Sequence, residues 1–345
     1  MLGLLVSTVC AQAQAEDVKI DMTIELRPDG KGHIEVSAEA PPAEEVMENL
    51  AQIPITGASL SIEISSPSSG RLDIWADGSV TLSETKIENL PPEAQLLLHM
   101  TSEQINLMLD KFDGKCLGDI SFSGFEVPGL PPELADLKIE DISCTKFSWS
   151  ESKLTAAFSL KLSGTVFENE EFRAKLPLSI DATMSTSPTR LSLTIELEAS
   201  GVEGSLEMIF ASDKTTIEGE LTFELPKVGN EARWDFGMPV ADMMPGIELE
   251  QLPEQLQGGD ITLNLNVPEG ATVSGLPPGY SNVGNTYTWE DENGASTFAA
   301  TFGGAQGTIS YDVAPDTKFP WLTVGVVIAI VIIVVAAVFI LWTRR

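Results

Sequence analysis

Histidine and cysteine are almost missing from this chain: its 345 residues include two of the first and three of the second. Without histidine, a serine or cysteine nucleophile lacks its usual activating base. His33 falls beside a turn and His99 on a helical stretch, and no G-x-S-x-G elbow accompanies either. H-E-x-x-H, paired C-x-x-C, the Walker loop and the dinucleotide fingerprint are absent too, which removes the common zinc, phosphate and nicotinamide chemistries. Positive charge is equally short. Twenty Lys and Arg face 51 Asp and Glu, a net charge of −31. Binding a phosphate backbone requires the opposite balance, so nucleic acid is excluded as a partner. No Asn-X-Ser/Thr sequon occurs. What is present suits a folded chain: 43% apolar and 21% charged residues are too apolar for a disordered acidic tail. The expectation is a folded protein that is not an enzyme.

The two ends predict an address. Leu2 to Val9 is a short apolar run, Ala13-Gln14-Ala15 fits a small-residue cleavage site and Glu16 follows at once, so residues 1–15 read as a secretory signal peptide. Cys10 follows Ser7-Thr8-Val9, a poor match to a lipid-attachment motif. Trp321 to Trp342 is 22 residues without a charged side chain, enough for a helix to cross a hydrocarbon core about 30 Å thick. Trp at both ends and Thr343-Arg344-Arg345 beyond suit the two interfaces and the positive-inside rule. The chain therefore reads as a single-pass type I protein of the cell membrane. Its ectodomain lies outside, its span covers 321–342 and residues 343–345 form a cytoplasmic tail. A span with no charge reads as an anchor rather than a transport path.

Between the ends, alternation dominates and predicts a mainly β fold: an antiparallel meander or sandwich-like ectodomain with one or two packed amphipathic helices. Val18, Ile20, Met22, Ile24 and Leu26 alternate with polar residues, Pro28-Asp29-Gly30 turns, and Ile34, Val36 and Ala38 alternate again, which is a hairpin. A second hairpin is expected over Leu72–Leu82, turning on Asp77-Gly78. Strands from Leu154 to Leu225, spaced 12 to 15 residues apart, predict a meander with one apolar and one polar face. Helices are expected near 42–53 and over 92–112, the second opening on Pro92 with no internal Gly or Pro. Leu-Pro-Pro at Leu90, Leu130 and Leu276 is turn chemistry rather than a repeat. The β-rich ectodomain spans 16–257. Gln257-Gly258-Gly259 predicts a boundary, after which Ile261–Val267, Thr272-Val273, Asn285–Trp289, Ser296–Phe302 and Thr308–Val313 form a small membrane-proximal β module over 258–315.

Candidate sites are few. Cys116 and Cys144 are an even pair in an exported chain and predict a disulfide. Leu96, Leu97, Met100 and Met108 lie on one stretch of the 92–112 helix, either packed on the sheet or lining an apolar groove beneath a lid. Glu290-Asp291-Glu292-Asn293 has the oxygen ligands a calcium ion wants, but no EF-hand register, and reads first as a solvated hairpin turn. Calcium is the only cofactor with any support. Trp234, Phe236, Tyr280, Tyr287 and Trp289 cluster late in the chain and suit either sugar stacking or a shared core. Function follows from these. The expectation is a non-catalytic, acidic cell-surface protein that acts in binding or envelope structure, with other surface proteins, lipid or glycan as partners. An extracytoplasmic carrier of lipid or another apolar ligand is the alternative, and calcium-dependent adhesion or carbohydrate binding comes next.

Overall fold

Side chains that alternate along an extended backbone point to opposite faces, and in the computed structural model that pattern produces a mainly β protein. The structure describes residues 18–42, 55–83, 100–111, 114, 136–150, 152–174, 176–236, 259–302 and 307–313. In chain order the first strands are β1 (Lys19–Leu26), β2 (Lys31–Ala40), β3 (Ile55–Ser65) and β4 (Arg71–Leu82), followed by helix α1 (Ser102–Leu109). Then come β5 (Lys138–Ser150), β6 (Lys153–Ser163), a single 3-10 turn, the short helix α2 (Glu170–Arg173), β7 (Leu178–Ser187), β8 (Arg190–Ala199), β9 (Val202–Ala211) and β10 (Thr215–Glu224). The last group is β11 (Lys227–Val228), β12 (Glu231–Asp235), β13 (Asp260–Asn266), β14 (Thr272–Ser274), β15 (Ser281–Val283), β16 (Thr286–Glu290), α3 (Asp291–Phe302) and β17 (Thr308–Asp312). The chain divides into two units, Met1–Glu44 with Met208–Arg345, and Glu45–Glu207, so that the break falls inside β9.

The first unit is built on the expected hairpin. β1 and β2 pair antiparallel, Met22 opposite Val36, and Gly30 takes the turn with φ 83°, a conformation that favours glycine. The strand order is β15-β16-β13-β1-β2-β10. β13 joins β1 in parallel, Ile20 opposite Ile261 and Met22 opposite Leu263, and Trp289 of β16 lies opposite Leu263. One apolar row thus runs through Trp289, Leu263, Met22 and Val36. Ile20, Ile261, Leu263 and Trp289 are fully buried, each worth about 1.5–3 kcal/mol. A smaller sheet, β11-β12-β17-β14, brings Trp234 and Phe236 to this core. Phe236 stacks on Trp289 at 5.6 Å and meets Trp234 edge-on at 5.7 Å. Phe223 of β10 sits where Gly32 has no side chain, since a Cβ there would lie 2.5 Å from its ring. The segment 258–315, expected as a module of its own, is built into this unit through the β1–β13 and β12–β17 pairings.

Two further expectations change here. Glu290–Gly294 is a strand-to-helix junction rather than a hairpin turn, and Ser296–Phe302 is the body of α3 rather than a strand. Gly294, Ala295, Thr297, Phe298 and Thr301 are buried while Asp291, Glu292, Asn293 and Ser296 are exposed. That spacing is helical. Gly294 lets α3 approach β13: a Cβ there would overlap the Ile261 carbonyl oxygen and lie 3.0 Å from its carbon.

The second unit has the strand order β8-β7-β3-β4-β6-β5. β7 and β8 are neighbours as a meander requires, but β3 and β4 stand between β7 and β6, so the expected unbroken run from Leu154 onward is interrupted. β4 continues straight through Asp77-Gly78, and no hairpin forms there. The apolar phase of Leu72, Ile74 and Ala76 resumes at Val80 and Leu82 without slipping, and Gly78 is not among the glycines with positive φ. Helix α1 begins at Ser102, capped by Thr101, whose hydroxyl accepts from Gln104 N while the Gln104 side chain accepts from Thr101 N at 2.8 Å. This capping box opens the helix at Ser102, within the expected 92–112 stretch, of which residues 92–99 lie outside the described residues. Beside it, β5 is the terminal strand of the order. The Asn106 amide pairs with this edge like a short strand: Nδ2 donates to Cys144 O at 3.1 Å and Oδ1 accepts from Cys144 N at 2.6 Å. Unpaired edges invite aggregation, and Asn106 closes this one locally. Among the described residues no helix is long and apolar enough to cross a membrane; the expected span at 321–342, the signal peptide at 1–15 and the helix near 42–53 (beyond Pro42) lie outside the described residues.

Candidate functional site

Cross-strand partners share a face, so the register of the second unit can be read as rows. On one face a row runs Glu198, Ser179, Glu63, Trp75 and Ser159 from β8 to β6. The next is Glu196, Asp181, Ser61, Asp77 and Ala157, and the one after it is all hydroxyl: Thr194, Thr183, Ser59, Ser79, Thr155 and Ser148. Ser59 and Ser79 are hydrogen-bonded at 2.8 Å, and Ser148 and Thr155 at 2.6 Å. The opposite face is mostly apolar, with Thr186 among Ile180, Ala182 and Met184 on β7.

At the acidic end of the polar face lies a groove of about 760 Å³. Glu63, Ser65, Asp73, Trp75 and Ser159 form its floor, the Leu176–Ser179 segment one wall and Glu198–Ser200 another. The Leu176–Pro177 bond is cis. Trp75 is 39% exposed, an indole in the polar phase of an alternating strand. Neighbouring strands are about 4.8 Å apart, which puts Glu63 and Glu198 roughly 10 Å apart across two spacings. No Lys, Arg or His lines the groove among the described residues. The nearest cation in register is Lys161, opposite Asp73. Its Nζ is held by Asp141 at 3.0 Å. That hydrogen bond and the Asp141 charge keep the ammonium above its usual range, and Asp73 adds a weaker push.

The described lining offers hydrogen-bond acceptors and hydroxyl donors. Ionised carboxylates only accept hydrogen bonds, and Ser65, Ser159, Ser179 and Ser200 donate and accept. Among the described residues no histidine lines the groove. Among the described residues no three His, Cys, Asp or Glu side chains converge as metal ligands. No known family and no curated protein matches the chain. The reading therefore rests on the groove alone.

The residues singled out from sequence are dispersed. Cys144 is a free thiol, buried on the apolar side of β5, and its Sγ–H donates to Lys146 O at 3.4 Å. The expected bridge is thus not formed at Cys144, whose backbone is occupied with Asn106; Cys116 lies outside the described residues. Burial pushes the Cys144 thiol up and outweighs the opposing influence of its hydrogen-bonding neighbours Lys146 and Ser102. Leu96, Leu97 and His99 also lie outside the described residues. Met100 is half-buried, Met108 is 47% exposed, and no residue of α1 is fully buried. Glu290, Asp291, Glu292 and Asn293 are exposed around the start of α3. Of the aromatic cluster, Trp234, Phe236 and Trp289 are core. Their rings are spent on one another, which removes them as sugar platforms; Tyr280 stacks edge-on against Tyr287 and Trp289. His33 hydrogen-bonds Thr222 at 3.0 Å on β10.

The groove was missed because Leu72–Leu82 was read as a hairpin. Its signal was present: in Leu72-Asp73-Ile74-Trp75-Ala76-Asp77, Trp75 falls in phase with the two aspartates.

Proposed function

We propose that this chain is a non-catalytic binding protein of the cell exterior, tethered by a helix over 321–342, and that the polar face of its second unit is the recognition surface. The observation that carries this reading is Trp75, a large exposed ring set among carboxylates and hydroxyls on an uncovered face. A purely solubilising face gains nothing from an indole, whereas binding surfaces use aromatic rings as anchors. The uncharged run at 321–342 and the apolar start of the chain support the tether and the export. Protease shaving of intact cells tests the address: release of fragments from the 18–313 region is expected, and full protection refutes it.

A second reading, carriage of a lipid or another apolar ligand, is favoured by one observation. On the apolar face of the same sheet the row Ile195, Ala182, Leu60, Gly78, Ala156 and Phe147 is only half-buried across all six strands. The row Leu193, Met184, Ala58, Val80, Leu154 and Trp149 is half-buried as well. The small residues Ala182, Gly78 and Ala156 would leave room for an acyl chain against the sheet. Native mass spectrometry of the protein released from mild detergent checks this. Co-purifying lipid that is lost on Ala156→Phe supports the reading, and a ligand-free spectrum rejects it.

A further inference from the structure

We infer that the groove at Trp75 binds an elongated organic cation, a polyamine-class ligand carrying two or more ammonium groups. The inference rests on the proposed recognition role of this face and names its ligand.

Glu63, Asp73 and Glu198 are acceptors only, and among the described residues no cationic side chain lines the groove to balance them. A ligand rich in donors satisfies that set, and a positively charged one also cancels its charge. Lys161, opposite Asp73 in register, is held by Asp141 and meets the floor only through its weaker interaction with Asp73, which leaves Glu63 and Glu198 with no cation directly opposite them in register among the described residues. Trp75 supplies what carboxylates do not, an aromatic face that attracts an ammonium through the ring quadrupole and packs against a methylene chain.

Spacing then separates an organic cation from a metal ion. Hard cations need their oxygens to converge within about 2.3–2.6 Å. Glu63 and Glu198 stand two strands apart, roughly 10 Å, with Ser179 between them. No set of three ligands converges among the described residues. A single ion cannot span that distance, while a flexible chain with charges at intervals places one ammonium by Glu198 and another over Trp75, between Glu63 and Asp73. The groove volume of about 760 Å³ is ample for such a chain.

Spermidine is the probe, titrated by calorimetry into the full-length protein in a neutral detergent, with maltotriose and Ca²⁺ titrated separately. Saturable spermidine binding at low ionic strength is expected, weakening roughly ten-fold as salt is raised through the range where the Debye length falls below the groove dimensions. Trp75→Ala is expected to weaken it about two- to five-fold, and the double variant Glu63→Gln with Glu198→Gln by roughly five- to ten-fold. Lys146→Gln, on the same face but outside the groove, should bind as the parent does. Circular dichroism of each variant guards against misfolding. No spermidine binding, binding indifferent to Trp75 and both glutamates, or maltotriose or Ca²⁺ taken up in its place would each overturn the inference. A failed titration with successful shaving of intact cells sinks the ligand and leaves the exterior address standing; protection from shaving sinks the address whatever the titration gives.

Discussion

Gly294 is the position where the fold of the first unit is most sharply constrained by a single missing atom. It lies in the first turns of α3, and a Cβ would overlap the Ile261 carbonyl oxygen and meet Trp289 O at 3.3 Å. On propensity alone, Gly294→Ala should stabilise the helix by about 1 kcal/mol. The obstruction is backbone, and it belongs to β13, which is paired on both sides by β1 and β16. It cannot swing away as a side chain can. The relief left is a shift of α3, which unseats Phe298, now fully buried, and forfeits part of the roughly 1.5–3 kcal/mol its burial provides. Adding an overpacking cost of about 1–3 kcal/mol gives a net loss of roughly 2–4 kcal/mol, a large share of a typical stability. Urea unfolding followed by tryptophan fluorescence measures it, with Ser296→Ala, exposed on the same helix, as a control expected to stay within about 0.5 kcal/mol. A Gly294→Ala protein as stable as its parent, or more so, would refute the close-packing argument and leave helix propensity as the controlling term.

Other positions make different demands. Asn106→Ala strips both partners from Cys144 N–H and C=O, and a loss of about 1–3 kcal/mol is expected, together with faster hydrogen exchange at the Cys144 amide; unchanged exchange would show the edge to be closed by something else. Burial, reinforced by Asp29, holds the Tyr311 phenol well above its usual value of 10.0. The folded state therefore keeps this proton longer than the unfolded one, and stability present below pH 10 should fall as pH rises beyond it. Tyr311→Phe removes that part of the alkaline fall, and costs about 1 kcal/mol at neutral pH by deleting the 2.8 Å hydrogen bond to Arg27 O; an unchanged alkaline slope would assign it to Lys19, Lys161 and Lys214, which are also raised. Cys144, buried and with its thiol pushed up, should resist alkylation near neutral pH in the native protein and react fully once unfolded without reductant. Labelling that requires reductant would restore the disulfide.

The strands were legible because period two is a strong signal where one face is buried. Val18–Leu26 and Ile34–Ala38 carry it cleanly, and their turn announces itself through Pro28-Asp29-Gly30. Pairing between distant strands was not legible. Nothing in Ile261–Val267 says that it lies parallel to β1 rather than opening a new module, because a fully buried strand reads alike in either setting. Glycine misled twice, for opposite reasons. Asp77-Gly78 has the composition of a turn, yet the unbroken apolar phase on both sides already argued for one straight strand. Gly294 has the composition of a turn's end, while the spacing of Ala295, Phe298 and Phe302 is helical.

The groove illustrates a different limit. Its acids are individually anonymous in a chain with 51 of them, and only register selects Glu63, Asp73 and Glu198 from the rest. Register depends on β3 and β4 inserting between β7 and β6, a long-range choice that no local pattern encodes. What sequence could offer was the phase of Trp75. A tryptophan that falls with Asp73 and Asp77 must either sit in a second core or face outward, and the second unit places no described layer of strands over that face. The cost of leaving an indole half in water is on the order of 1 kcal/mol or more of forgone burial. A serine or threonine, which fills every position of the hydroxyl row on the same face, would solubilise it without that cost. Stability and solubility therefore both argue against tryptophan at this point, and the proposed contact with a ligand would supply a physical reason for an exposed indole among carboxylates.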